Sequence, residues 1–348
     1  MKRLAIPPTR PKVLHSHAAK LSTCNDISRW LMVTKALLQL LGAVLLVFAV
    51  QAATSKAWAA REDTIAVIYP DIGEPYRRIF EEIIQGIDDK VGNRVATYPV
   101  SSNTNIDALK AGLLSQNIKV VIALGRHGMN AAAQLNNGIR VVVGGVLAVP
   151  ENEARVQPVI SLTPDPALLF DRMKMLMPTA KRVFVVYDPA LNDWLIKIAK
   201  EDASAKGMEL VAYVAQDLRS AVRPYQEIFS TANGRSDVLW LPQDFTTVEE
   251  SSVLPMVLQE SWNKNIAVFS SNFTHVRRGV LFSLYPDNVA LGKSLASLAQ
   301  GILASGDYGR RGMTPLRDVQ SAINLRTAKH LGIMPSSQQD FDSTFPEQ

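Results

Sequence analysis

From Thr64 onward the chain alternates short β-branched runs with amphipathic stretches of helical period, and this alternation fixes the fold class. Thr64–Tyr69 (TIAVIY) reads as a strand, and Pro75–Asp89 follows with Ile79, Ile83, Ile84 and Ile87 on one helical face. Val95–Val100, Lys119–Leu124 (KVVIAL) and Arg140–Val146 (RVVVGGV) are predicted strands, separated by helices over Ile106–Ser115 and Met129–Leu135. Nearly continuous apolar strands between amphipathic helices imply a parallel sheet covered on both faces.

The pattern then restarts. Val159–Leu162, Arg182–Tyr187 (RVFVVY), Glu209–Val214, Asp237–Leu241 (DVLWL), Ile266–Ser270 and Gly279–Tyr285 are the next predicted strands. Helices are predicted over Pro166–Met177, Asn192–Lys206, Arg219–Ala232, Val248–Asn263 and Asn288–Leu303. Two such runs predict an α/β protein of two Rossmann-like lobes, each with its own parallel sheet. No low-complexity linker separates them, so the joints are short crossings near Ser161–Pro164, Gly279–Tyr285 and Met313–Ile323.

Upstream, Ala36–Val50 (ALLQLLGAVLLVFAV) is an apolar core preceded by Arg29 and Lys35 and followed by Ala57-Trp58-Ala59. A charged start, a short apolar core and small residues at the cut read as a signal peptide cleaved near Ala59/Ala60. An uncleaved anchor is the alternative, and Met32 is a plausible internal start. Residues 1–59 carry eight of the 37 Lys and Arg but one of the 32 Asp and Glu, which leaves 29 basic against 31 acidic residues downstream. The overall charge of +5 therefore belongs to the presequence, and the exported part gives no nucleic-acid signal. Cys24, the only cysteine, also lies upstream, so the downstream chain can form no disulfide and no thiolate metal site.

In an open parallel sheet, ligands bind beyond the carboxyl ends of the strands. The residues there are Tyr69, Ser101, and Gly125, Arg126 and His127 in the first lobe, with Asp188, Asn192, Trp194, Gln243, Asp244, Ser271 and Asn272 in the second. Donors, acceptors, aromatics and one cation around a cleft suit a small polar or zwitterionic solute. Gly125-Arg126-His127-Gly128 offers a glycine turn into a helix start, a geometry that favours an anion. Arg126 either pairs with a carboxylate or lies on the surface. Asp244 either meets a ligand ammonium or caps the following helix. Trp194 either stacks on a ligand or packs half-buried.

Signals for catalysis are thin. His127, His275 and His330 are far apart and match no metal-ligand spacing, and there is no phosphate loop or nucleophile elbow. Glu81/Glu82, Asp88/Asp89 and Glu249/Glu250 fall in predicted helices, where a solvated face is the ordinary reading. The expectation is a non-enzymatic protein with no catalytic residues, no metal and no cofactor.

Several segments resemble a known family. Pro178–Pro189 (PTAKRVFVVYDP), Leu241–Asp244 (LPQD), Leu291-Gly292 with the helix to Leu303, and Ile323–Ile333 (INLRTAKHLGI) are similar to stretches of the ABC-transporter substrate-binding family that includes tryptophan- and aromatic-amino-acid-binding members. The likeness spans about residues 63–335, and the closing motif is its most specific part. It implies a type I periplasmic binding fold with a three-segment hinge: residues 60–160 with 286–312 as lobe 1, and 161–285 with 313–348 as lobe 2. It also implies ligand contacts at the Gly125 loop and at Asp244. The chain departs from the family where Gly125–Gly128 replaces a Thr or Ser-Pro turn and Gly144-Gly145-Val146 replaces an Asp-Pro loop.

The expected function is a periplasmic solute-binding protein, a monomer that delivers a small molecule such as an amino acid or related carboxylate to an inner-membrane ABC permease. The alternative is a periplasmic sensor that reports the same kind of solute to a signalling protein. A glycosyltransferase-like enzyme is disfavoured by export and by the missing phosphate loop.

Overall fold

A computed structural model describes residues 65–135, 138–334 and 340–346 of the 348-residue chain. The segment read as a presequence, with Met32 and Ala59/Ala60, lies outside these residues. Among the described residues no helix is long and apolar enough to cross a membrane.

Strands β1 (Ile65–Pro70), β2 (Ala96–Val100), β3 (Val120–Leu124), β4 (Arg140–Val146) and β5 (Pro158–Pro164) join β11 (Gly312–Leu316) in one six-stranded sheet. Its order is β11-β5-β4-β3-β1-β2 and every pairing in it is parallel. Successive residues of β1 serve opposite cores. Ile65 and Val67 pack with α1 (Tyr76–Val91) and α10 (Asn288–Ser305), whereas Ala66 and Ile68 pack with α2 (Ile106–Ser115) and α3 (Gly125–Ala132). That division explains the unbroken apolar runs of the central strands, because both their faces are covered.

Helices α1 and α10 approach very closely. A Cβ at Gly86 would lie 2.0 Å from the Val289 carbonyl oxygen, and one at Gly292 would lie 2.1 Å from that of Ile83. Only residues without a side chain permit this crossing.

The second sheet has seven strands in the order β13-β12-β10-β9-β8-β6-β7. These are β6 (Arg182–Tyr187), β7 (Glu209–Val214), β8 (Asp237–Leu241), β9 (Ala267–Ser270), β10 (Phe282–Pro286), β12 (Val319–Asn324) and β13 (Ser343–Phe345). Helices α5 (Pro166–Leu176) and α6 (Pro189–Ala205) cover one face, where Phe170 meets Trp240 edge-on at 5.8 Å. Helices α7 (Leu218–Thr231) and α8 (Val253–Lys264) cover the other. The sheet is not wholly parallel, because β12 runs antiparallel to β10. The segment Met313–Ile323, read from sequence as a crossing, contains most of β11 and β12.

Strand β5 continues in the first sheet to Pro164, and β11 to Leu316, beyond the sequence-based limits at 160 and 312. The chain passes between the sheets at Asp165, at Asp287 and at Arg317-Asp318. These passages are bonded to one another: Asp165 N donates to Leu316 O at 2.8 Å, and Asp287 N donates to Asp318 O at 3.0 Å. Asp165 and Asp287 also cap α5 and α10 through Ala167 N and Ala290 N, so each passage leads at once into a fixed helix.

Candidate functional site

The strongest site lies where the carboxyl ends of β4, β8 and β9 face one another. Leu147, just after β4, closes a cavity of about 310 Å³ against Pro242, Gln243, Phe245, Asn272 and His275 of the second lobe. Leu147 is held in place by Ser161, whose buried hydroxyl donates to its carbonyl at 2.6 Å.

Gln243 follows β8 directly. Its Oε1 is buried and has no hydrogen-bond partner among the described residues. Such an acceptor is costly unless a donor from outside the chain completes it. Beside it Phe245 is 72% exposed, an unusual position for a large aromatic ring and a platform for an apolar or planar solute surface. Sequence reasoning missed Leu147 and Phe245. The available signal for Phe245 was its place in the loop directly after the DVLWL strand.

Asp244 occupies this loop as expected but its carboxylate is committed within the lobe. Oδ2 accepts from Asp188 N at 2.7 Å and from Asn192 Nδ2 at 3.0 Å, while Oδ1 accepts from Thr246 N and Thr247 N, both at 3.0 Å. Four bonds fill the acceptor sites of a carboxylate, so Asp244 ties the β8 loop to the start of α6. Asp188 caps α6 through Ala190 N, with Pro189 at the first helical position. This cap starts the helix at Pro189 and not at Asn192.

Asn272 caps α9 (Phe273–Arg278) by accepting from Thr274 N at 3.0 Å. Ser271 is buried, and its hydroxyl accepts from Trp240 Nε1 at 3.2 Å. Both shape the β9 loop, and Asn272 also lines the cavity.

Ser270, His275 and Glu250 form a line at the same loop. Ser270 Oγ lies 2.8 Å from His275 Nδ1, and His275 Nε2 lies 3.9 Å from Glu250 Oε1. The hydroxyl is fully buried and accepts from Asn272 N, so this trio braces α9 against β9. Burial lowers the His275 pKa to about 4; Glu250 opposes this and Arg278 adds to it. Glu249 stands before α8, where bonds from Ser251 and Ser252 lower its pKa to about 2. That turn delays the helix predicted from Val248 to a start at Val253.

In the first lobe the glycine turn is the opening of a helix. Gly125 has φ +65°, and a Cβ there would lie 2.8 Å from Pro70 Cγ, so glycine lets β3 pass directly into α3. The helix predicted over Met129–Leu135 accordingly starts four residues earlier. Arg126 Nη2 donates to Ala148 O at 3.0 Å, and Nη1 pairs with Glu153 at 3.3 Å. Its guanidinium braces the loop that carries Leu147. His127 is exposed.

Three expected residues sit elsewhere. Tyr69 lines a separate cavity of about 740 Å³ beside α1. Ser101 closes an exposed turn with Thr104. Trp194 donates to Leu191 O at 3.1 Å and packs against the second-lobe core, at a different inter-lobe cavity that also contains Pro150 and Met313.

Known proteins agree with this architecture. A ligand-free, open substrate-binding protein with adhesive properties from Clostridium difficile superposes with a TM-score of 0.58 at 18% identity, covering 80% of this chain and 98% of that one. An ABC domain from Streptococcus pneumonia in complex with L-Trp gives 0.51 at 15% identity, covering 81% and 100%. No curated protein sequence matches significantly. The sequence model of the ABC transporter substrate binding protein family matches residues 165–338, half of the chain. With two α/β lobes, a hinge of three passages and a cavity at the strand ends, the chain belongs to the ABC transporter substrate binding protein family.

Proposed function

We propose that the protein binds a small polar or zwitterionic solute between its lobes and presents it to an ABC importer. The carrying observation is the orphaned Gln243 Oε1, buried in a cavity that Leu147 closes from the opposite lobe. A solute N–H or ammonium donor completes that acceptor, and Phe245 covers the apolar part of the ligand. Arg126 keeps N–H groups beyond those given to Ala148 and Glu153, and these meet a solute carboxylate at the same loop. The L-Trp complex of the streptococcal relative supports an amino acid as the first class to test. Closure about the three passages gives the solute-loaded form a shape that the membrane permease distinguishes. An apolar segment at Ala36–Val50 followed by Ala57-Trp58-Ala59 supports export to the periplasm.

A thermal-shift screen against amino acids, peptides, nucleosides and sugars tests this reading. A true ligand at 100 times its Kd stabilises the folded state by about 2.7 kcal/mol. The Gln243→Met variant is expected to lose that shift while its unliganded Tm stays level or rises, because an unsatisfied buried acceptor has been removed. An undiminished shift in this variant rejects the site.

A further inference from the structure

We propose a second binding site, for a small multivalent oxyanion, at the end of lobe 2 opposite the solute cleft. It is a cavity of about 370 Å³ between the C-terminal ends of α8 and α9 and helix α11 (Leu325–His330). Helix α9 starts at the cleft end of β9 and ends at Gly279, which leads into β10 from the far end. Asn324 closes the antiparallel β12 at that same far end. The cavity therefore has no wall in common with the solute site.

Its charge is one-sided. Arg277, Arg278 and Arg326 line it, and among the described lining residues there is no carboxylate. Arg278 is already engaged by Glu250, through its carbonyl at 2.6 Å and its carboxylate at 3.6 Å. Arg277 and Arg326 have no carboxylate partner among the described residues. Each is steadied by a ring instead: Arg277 stands 5.7 Å from the Phe345 centroid and Arg326 stands 5.6 Å from that of Trp262. Two guanidinium groups that line one cavity and are not neutralised suit two carboxylate or phosphoryl groups on one ligand.

The walls are rigid. His330 stacks on Trp262 at 3.6 Å with 6° between the planes, and its Nε2 donates to the Trp262 carbonyl at 3.1 Å. Asn324 Nδ2 donates to Val276 O at 2.9 Å, and Thr327 Oγ1 donates to Gly279 O at 2.8 Å, which clamps α11 to the end of α9. The INLRTAKHLGI motif thus builds this cavity: Asn324 and Thr327 set its floor, and Arg326 and His330 set its lining. A volume of this size accepts a small anion with two or three charged groups.

Calorimetric titration with pyrophosphate and, separately, with citrate tests the site in the full protein. Saturable binding at a single site is expected. Tighter pyrophosphate binding assigns a phosphate ligand, and tighter citrate binding assigns a polycarboxylate. The double variant Arg277→Gln/Arg326→Gln, altered only at exposed side chains, is expected to weaken binding roughly tenfold or more with an unchanged Tm. Binding persists in Gln243→Met, which separates this site from the cleft. The proposal is overturned if neither anion binds saturably, if the double variant binds as tightly, or if Gln243→Met abolishes binding.

Discussion

Arg317, on the third passage between the sheets, donates through Nη1 to the carboxylate of Asp165 on the first. The pair closes a ring with the Asp165 N to Leu316 O bond, so two of the passages are tied to each other. Arg317 is largely exposed and Asp165 is buried. Removing the arginine leaves the carboxylate with only its helix-cap bond, at an expected cost of about 1–3 kcal/mol. Urea denaturation of Arg317→Ala, Asp165→Asn and the double variant checks this. The double variant is expected to be more stable than the sum of the single losses predicts, and additive losses would show that the two groups are not coupled.

Asp244→Asn separates the structural role of this carboxylate from a ligand-binding one. An amide replaces one acceptor oxygen with a donor and sets it against either the Asp188 and Asn192 donors or the Thr246 and Thr247 N–H groups. The expected loss is about 2–3 kcal/mol in the absence of any solute, measured by chemical denaturation. A variant as stable as the parent would restore Asp244 as a candidate ammonium partner.

His275 makes stability depend on pH. Its pKa lies near 4 in the folded protein against 6.5 for the unfolded group. The unfolded chain therefore binds the extra proton first as the solution is acidified. This contribution is fully present above about pH 6.5 and declines as pH falls towards 4, by roughly 3 kcal/mol in total. Denaturation midpoints across that range are expected to fall less steeply in His275→Gln than in the parent.

The alternation from Thr64 onward revealed both lobes because the central strands are covered on two sides and must be apolar along their length. It hid β12, whose reversed direction depends on its pairing with β10, a long-range choice with no local mark. Helix starts slipped at Pro189 and Val253 because the bonds from Ala190 to Asp188 and from Ser252 to Glu249 decide them, and apolar spacing does not. Among the site residues, Gln243 and Asn272 were legible as polar groups after strands. The saturation of Asp244 was not, since its partners at Asp188 and Asn192 lie more than fifty positions away in the chain. Phe245 was passed over because exposure is a property of the folded surface.

The close crossing of α1 and α10 also orders events during synthesis. Strands β1 to β5 are made first, yet one of their covering helices and an edge strand are encoded beyond residue 287, after all of β6 to β10. Until Gly292 settles against Gly86, the cluster of Ile83, Val67 and Ile122 has α1 as its only helical cover. On the ribosome, the lobe begun first thus stays unfinished until most of the other has been made, and a chain cut short before α10 carries a half-covered apolar face into the cell.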